Sequence, residues 1–298
     1  MIWAVAKYSE SGEQVYLQMF DIENETSKEL KLNMRFIKME GLSQIIIDNK
    51  LFLCGLNCTK NEKFKGSSFI SIDPVEEPVQ ITFLVNSKFP HYHPSLIEAY
   101  PYIIVIGGKN NLYCEMFHKE RNTWYELPEL PEERYNCNLV YDDKKSLIYL
   151  FGGFSNSDFK VCSSILKLQL KKLQNKWETI VVTQNILPFT QKIFSCICSH
   201  DNSNVFVLGG RNTAPDKSNN ESDTSDDIIE WDFLQKKFSI VENQLKLNKN
   251  CTFSIVKHSV VFNGYHYMVD DDNLIHKISF KEGNSYVYGI ENLQNTQY

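Results

Sequence analysis

Three short apolar runs that each end in a pair of glycines constrain the fold more than any other feature of this sequence. They are Ile103–Gly108, Ile148–Gly153 and Val205–Gly210. Each is typical of a β-strand that ends abruptly at two residues free to adopt left-handed backbone angles. Their recurrence predicts a chain built from one small unit that is repeated several times.

A further strand follows each glycine pair and ends in a large apolar residue, which precedes an aromatic residue by seven positions. The three pairs are Phe117 with Trp124, Leu170 with Trp177, and Trp231 with Phe238. Weaker copies of the same seven-residue rule are Phe20 with Ser27, Ile72 with Val79, and Phe280 with Val287. Six units with a period of about fifty residues are therefore expected.

This pattern resembles the kelch repeat, in which each copy forms one four-stranded blade of a β-propeller. The resemblance implies an all-β, six-bladed kelch-type propeller, with four antiparallel strands per blade and a single domain over residues 1–298. The expected blades are 1–32, 34–84, 91–127, 134–182, 190–241 and 249–293. An alternative is five blades preceded by an N-terminal extension. The 13% aromatic content suits strands, and no stretch has a clean helical period.

The resemblance gives the glycine pairs and the later aromatics a structural role within the blades. The residues with this role are Gly107, Gly108, Gly152, Gly153, Gly209, Gly210, Trp124, Trp177, Trp231 and Phe238. Three units lack the full glycine pair and have Ala6-Lys7, Gly55-Leu56 and Asp270-Asp271 at that position.

In the first unit only five residues precede Ala6-Lys7, which stands at the position of the glycine pair. These residues are too few to form both the first and the second strand of a blade, so the innermost strand is expected to be missing from this unit. Either the tail Glu291–Tyr298 pairs there, or the first blade keeps an open inner edge. Because proteins normally cover such edges, the hypothesis for this blade is that a partner protein donates a strand.

In kelch propellers, most ligand sites lie on the face formed by the loops between second and third strands and between blades. The candidate binding residues on these loops are His91, Tyr92, His93, Lys109, Arg134, Tyr135, Phe154 and Arg211. The resemblance matches Arg134 to an arginine that in some relatives binds acidic peptides, and a structural ion pair with a nearby Glu is the alternative. The polar, acidic insertion Arg211–Asp227 is interpreted as a solvated loop, with a phosphorylated or cation-contacting arm as the alternative.

Metal binding and catalysis find little support in the sequence. His91 and His93 lack the further ligands of a zinc site, and Cys196, Cys198 and His200 are expected to pack within a strand. No nucleophile elbow, phosphate-binding glycine loop or HExxH motif occurs. We therefore expect no catalytic residues, no metal and no cofactor.

The net charge of −6 argues against binding to nucleic acid, and no run is apolar for long enough to insert into a membrane. A cytoplasmic location is expected, with association to the cytoskeleton. The predicted function is a non-catalytic protein–protein interaction platform, a subunit of a larger intracellular assembly whose partners are other proteins. The alternative is a propeller enzyme that acts on a sugar or another small molecule.

Overall fold

A computed structural model describes most of the chain. The described residues are 2–8, 15–21, 26–32, 39–57, 66–76, 78–158, 160–171, 176–181, 196–200, 204–208, 228–240, 258–262, 265–269, 275–281 and 284–287. Within these ranges the secondary structure consists of 25 strands and no helix. The glycines Gly209 and Gly210, the insertion Arg211–Asp227 and the tail Glu291–Tyr298 lie outside the described residues.

The chain divides into two compact units, Met1–Leu127 with Leu293–Tyr298, and Pro128–Asn292. The first unit contains three antiparallel sheets. The first sheet consists of β1 (Ile2–Tyr8), β2 (Val15–Asp21) and β3 (Thr26–Leu32). The second sheet consists of β4 (Met39–Ile47), β5 (Lys50–Asn57), β6 (Ser67–Asp73) and β7 (Gln80–Phe83). The third sheet consists of β8 (Ser95–Ala99), β9 (Tyr102–Ile106), β10 (Cys114–His118) and β11 (Thr123–Leu127).

The second unit also contains three four-stranded antiparallel sheets. The fourth sheet consists of β12 (Asn138–Asp142), β13 (Leu147–Phe151), β16 (Ile165–Gln169) and β17 (Glu178–Ile180). A short hairpin in the loop after β13 consists of β14 (Phe154–Ser155) and β15 (Lys160–Val161). The fifth sheet consists of β18 (Cys196–His200), β19 (Asn204–Leu208), β20 (Ile228–Asp232) and β21 (Lys237–Ile240). The sixth sheet consists of β22 (His258–Phe262), β23 (Tyr265–Val269), β24 (Ile275–Lys281) and β25 (Asn284–Val287).

The cores of the two units lie between neighbouring sheets. In the first unit, Phe69 of the second sheet packs against Phe117 of the third, with ring centroids 4.9 Å apart. In the second unit, the fully buried Trp231 of the fifth sheet lies 6.2 Å from the ring of Phe151 in the fourth. The buried aromatic side chains of the second and third sheets, and of the fourth and fifth sheets, therefore lie where one sheet packs beside the next.

The two described glycine pairs directly follow the second strand of their sheets, β9 and β13. Strand β9 stops at Ile106, and Gly107 and Gly108 follow with φ angles of 60° and 136°. A Cβ atom at Gly108 would lie 2.9 Å from the carbonyl oxygen of Tyr92, so another residue would be both strained and crowded. In the second sheet, where the pair is replaced by Gly55-Leu56, strand β5 continues to Asn57.

The seven-residue rule corresponds to strand register in half of the units. Three pairs lie directly opposite each other across antiparallel strands: Phe20 with Ser27, Phe117 with Trp124, and Trp231 with Phe238. In the sixth and second sheets the rule is wrong by a few residues, because Phe280 is opposite Ser285 and Ile72 is opposite Ile81. The hairpin that follows Ile72 has a longer turn, which shifts the register.

The pair Leu170 and Trp177 also departs from the rule. Strand β16 ends at Gln169 and β17 begins at Glu178, so both residues lie just outside the paired strands. Trp177 is nevertheless buried, and its indole N–H donates to the carbonyl oxygen of Pro128 at 2.9 Å. The side chain therefore fills the interior as predicted, but from a position beside the strand.

The first sheet has three strands in the described part of the chain, whereas the other five have four. Strand β1 pairs with β2 along Ile2–Tyr8 and, among the described strands, has no neighbour on its other side. This arrangement agrees with the expectation of an incomplete first blade.

Candidate functional site

Two predicted loops of the third sheet meet in the structure. The segment before β8 contains His91, Tyr92 and His93, and the loop after β9 begins with Lys109. The Lys109 main-chain N–H donates to the carbonyl oxygen of Tyr92 at 2.7 Å, and the Asn111 side chain donates to the carbonyl oxygen of Pro90. The structure therefore brings these four candidate residues into one corner, which we call the third-sheet corner.

His91 lies at the base of the third-sheet corner and is fully buried. Its ring Nδ1 is 2.7 Å from the carbonyl oxygen of Gly107, and its Nε2 is 3.0 Å from Oε2 of the buried Glu115. The two Glu115 oxygens also accept the main-chain N–H groups of Lys88 and Phe89, at 2.9 and 3.0 Å. The side chain of His91 thus joins parts of the protein to one another and does not face solvent.

Tyr92 and His93 are half-buried beside the second sheet. The His93 main-chain N–H donates to the carbonyl oxygen of Gly41 at 2.7 Å, and the Tyr92 ring occupies the space that a Cβ at Gly41 would need. Burial lowers the pKa of His93, and the nearby charge of Lys109 lowers it further. His93 is therefore expected to be neutral at pH 7.

Three more candidates, Arg134, Tyr135 and Phe154, form a corresponding corner in the fourth sheet. Tyr135 and Phe154 exchange two main-chain hydrogen bonds of 3.1 and 3.0 Å, and their rings meet edge to face at 5.6 Å. Both side chains are buried. They stabilise the contact between the segment before β12 and the hairpin β14–β15.

Arg134 is fully buried within this fourth-sheet corner. Its Nη1 donates to the carbonyl oxygens of Gly152 at 3.1 Å and Ser164 at 2.7 Å, and its Nη2 donates to Glu132 and to the Ser164 hydroxyl. Burial by itself would raise the pKa of Glu132, but the charge and hydrogen bonds of Arg134 outweigh it and lower that pKa. Of the two sequence interpretations, the ion pair with a nearby Glu is therefore the one that the structure contains.

The most exposed apolar side chains near the third-sheet corner were not among the sequence candidates. Leu112 and Tyr113 are 37% and 36% exposed, and the Tyr113 ring stacks on Phe89 with centroids 3.9 Å apart. Lys88 lies over the same Phe89 ring at 5.5 Å. We call Lys88, Phe89, Leu112 and Tyr113 the loop patch. The signal that could have found it is a Leu-Tyr pair directly after the short polar loop Lys109–Asn111.

Reactive groups are scarce in the described residues. The described free cysteines are Cys54, Cys114, Cys137 and Cys162. Burial raises the pKa of the Cys162 thiol to about 11. Burial also raises the pKa of the Cys54 thiol, and the nearby negative charge of Glu115 raises it further. Both side chains therefore remain thiols at neutral pH. In the ranges given above, no three His, Cys, Asp or Glu side chains are placed to hold a metal ion. Cys196, Cys198 and His200 lie on strand β18.

The remaining sequence candidate, Arg211, lies outside the described residues. Whether any of the eight candidate residues binds a partner stays a prediction. A helix of the length and apolarity needed to cross a membrane does not occur among the described residues.

Two curated relatives match part of the sequence, and no protein-family model matches it. Kelch-like protein 23 of Homo sapiens is 26% identical over 120 residues, and the same protein of Pongo abelii is 25% identical over 120 residues. Each match covers 40% of this chain and 20% of the relative. The chain therefore aligns with about a fifth of the length of these proteins.

One solved structure, described as "Structure of YjhT", matches along 96% of this chain and 97% of that chain. The TM-score is 0.66 at 12% sequence identity, so the likeness concerns the fold. Together with the sheets described above, this match shows the fold, and the partial matches to the Kelch-like relatives agree with it. The chain is a kelch-type β-propeller. Its six main sheets correspond to the six blades, and the first of them has three strands within the described residues. That all 298 residues form one domain with the expected blade borders stays a prediction.

The whole-chain match also corrects the functional prediction. The propeller was expected to be a non-catalytic platform and a subunit of a larger assembly, because no effector domain accompanies it. However, the matching fold covers 97% of the YjhT chain as well. The lack of an effector domain beside a propeller is therefore no evidence that the propeller is a non-catalytic subunit of an assembly. The prediction of a non-catalytic assembly subunit is therefore wrong as it was derived. That the chain is not an enzyme stays a prediction.

Proposed function

We propose that this propeller binds another protein through the loop patch of its third blade. The observation that carries the proposal is the exposed Tyr113, which stacks on Phe89 and lies next to the exposed Leu112. Rigid aromatic side chains lose little conformational freedom on binding, and they are enriched among the residues that dominate protein interfaces.

The support beneath the loop patch favours a binding role. Hydrogen bonds from Lys88 and Phe89 to the buried Glu115 fix one side of the patch, and the Tyr113 N–H donates to the Asn111 side chain at 2.7 Å on the other. Because both sides are fixed before a partner arrives, binding does not require these loops to become ordered. The similarity to Kelch-like protein 23 is a second, weaker support, since it covers 120 residues.

The test compares the wild-type chain and three variants as bait in a lysate of the source cells. Tyr113→Ser removes the stacked ring, and Leu112→Ser removes its apolar neighbour. Tyr125→Ser is the matched control, because Tyr125 is 38% exposed and lies on the outer strand β11. Truncation of a dominant interface residue costs about 2 kcal/mol or more, which is roughly thirtyfold in affinity.

The expected result is a protein captured in stoichiometric amount by the wild type and by Tyr125→Ser, and lost with Tyr113→Ser. Equal capture by the wild type and all three variants would show that the loop patch is not the binding surface. If no protein is captured in stoichiometric amount, and the purified chain hydrolyses chromogenic glycosides, the enzyme alternative replaces the proposal. Near-UV circular dichroism of each variant checks that the fold is intact.

A finer proposal concerns the first blade, where β1 pairs only with β2 among the described strands. We propose that an extended segment of the bound protein adds to this edge as a fourth strand. Main-chain hydrogen bonds along an edge strand supply affinity without a preformed pocket. Hydrogen exchange of the β1 amides in the isolated chain tests this proposal.

A further inference from the structure

Strand β7 forms the outer edge of the second sheet. It pairs with β6 on one side and with no described strand on the other. The N–H of Leu84 donates to the carbonyl oxygen of Phe69 at 2.9 Å, so the main-chain groups of Leu84 and of Thr82 point toward β6. Main-chain groups alternate between the two sides of an antiparallel strand. Those of Ile81 and Phe83 therefore point away from the sheet.

The third sheet covers the continuation of this edge at Val85. The Val85 N–H donates to Oδ1 of Asn122 at 3.2 Å, and the Val85 carbonyl oxygen accepts the indole N–H of Trp124 at 2.7 Å. No described strand covers the edge at Ile81 and Phe83 in the same way. The open part of the edge is thus the strand β7 itself.

The open edge is apolar and uncharged. The Phe83 side chain is 65% exposed, and the stretch from Pro78 to Ser87 contains no charged residue. The outer strands of four other sheets each contain a charged residue, namely Lys28, Glu126, Glu178 and Lys237. Charges on an edge strand hinder its pairing with another chain, so β7 lacks a protection that those four strands have.

We propose that β7 pairs with β7 of a second copy of this chain, antiparallel and about a two-fold axis at Thr82. Ile81 of one copy then lies opposite Phe83 of the other, and each such pair exchanges two main-chain hydrogen bonds. The outward main-chain groups of both residues are thereby satisfied. Each exposed Phe83 ring gains an apolar cross-strand neighbour in Ile81.

The distribution of charge favours a second copy in this register. Two chains of net charge −6 repel each other, so they approach best where the surface is uncharged. The exposed Glu76 precedes β7 and the exposed Lys88 follows it, and the arrangement about Thr82 brings the Glu76 end of each strand to the Lys88 end of the other. Lys88 also pairs with Glu126, but its side chain is 62% exposed and stays open to a second carboxylate. This inference does not require that the loop patch binds a protein.

The first test is the oligomeric state of the intact chain. Because the edge is short, the dimer should be weak, and sedimentation equilibrium between about 1 and about 300 μM is the suitable range. Phe83→Lys places a charge on the edge and is expected to weaken dimerisation about tenfold or more. Val181→Lys is the matched control and should leave the dimer unchanged, because Val181 is 77% exposed and directly follows the outer strand β17 of the fourth sheet.

Two results of this experiment would overturn the proposal. One is a dimer that Phe83→Lys weakens no more than Val181→Lys does. The other is a chain that stays monomeric at every concentration, which would leave the β7 edge to a strand of another protein.

The second test examines the register and does not depend on a charged substitution. Thr82 is exposed and lies opposite its own copy in a pair that exchanges no main-chain hydrogen bonds, where the Cα atoms are about 4.5 Å apart. Thr82→Cys should therefore form a disulfide-linked dimer on mild air oxidation. Gln80→Cys is the control, because the two copies of Gln80 would lie about 13 Å apart. The wild type, treated in the same way, gives the background from the native cysteines. A covalent dimer with Gln80→Cys but not with Thr82→Cys, or with neither, would overturn the proposal.

Discussion

Single residues fix the two corners of this propeller by being buried beneath loops. The glycine pair that precedes each loop could be interpreted from sequence, because a positive φ is a local property that glycine meets best. The burial of His91 and Arg134 could not be predicted from the sequence. Both were candidates for contact with a ligand, and their surroundings come from segments distant in sequence, such as Glu115 for His91 and Ser164 for Arg134.

Replacing Arg134 by Met should destabilise the protein by about 3–5 kcal/mol, because the carbonyl oxygens of Gly152 and Ser164 and the Glu132 carboxylate lose a buried donor. Lys145→Met is the control, since Lys145 pairs with Asp142 at 3.1 Å with a largely exposed side chain, and it should cost at most about 1 kcal/mol. Urea unfolding followed by tryptophan fluorescence measures both. Equal effects of the two substitutions would contradict a structural role for Arg134.

Strands and sheets were more predictable than single contacts. The antiparallel pairing of Phe117 with Trp124 and of Trp231 with Phe238 was visible as a spacing of seven, because a short turn places those residues opposite each other. The same rule was wrong at Ile72, which lies opposite Ile81. Turn length depends on residues such as Asp73, whose carboxylate accepts the Val75 N–H at 3.2 Å, and the apolar pattern carries no information about them.

Trp231 should dominate the packing between the fourth and fifth sheets. Its side chain is fully buried and contacts Phe238 at 4.6 Å and Phe151 at 6.2 Å between ring centroids. Trp231→Ala is expected to lower the free energy of unfolding by about 3–5 kcal/mol, because a large cavity would remain.

The control for this substitution is Leu234→Ala in the adjacent turn, where the side chain is 89% exposed. It should change stability by no more than about 0.5 kcal/mol. Chemical denaturation of both variants, monitored by far-UV circular dichroism, measures the difference. A loss below about 1 kcal/mol for Trp231→Ala would mean that the two sheets are held together mainly by other contacts.

At the scale of the whole molecule, strand β1 forms the edge of the first sheet as far as the described strands extend. If the edge is free until a partner binds, alternate amides along Ile2–Tyr8 should exchange with solvent about a hundredfold faster than the amides that pair with β2. Hydrogen exchange with residue resolution measures this in the isolated chain. Protection of all these amides without a partner would show that another part of this chain already pairs there, and strand donation would be wrong.

The sequence by itself determined the repeat, the all-β class and the positions where second strands end, because strand periodicity and glycine backbone freedom act over a few residues. Only the tertiary structure decided that His91 and Arg134 are enclosed and that Leu112 and Tyr113 are exposed. Exposure depends on which loops of one sheet meet. That meeting is set by hydrogen bonds between segments far apart in the chain, such as Lys109 to Tyr92 and Tyr135 to Phe154.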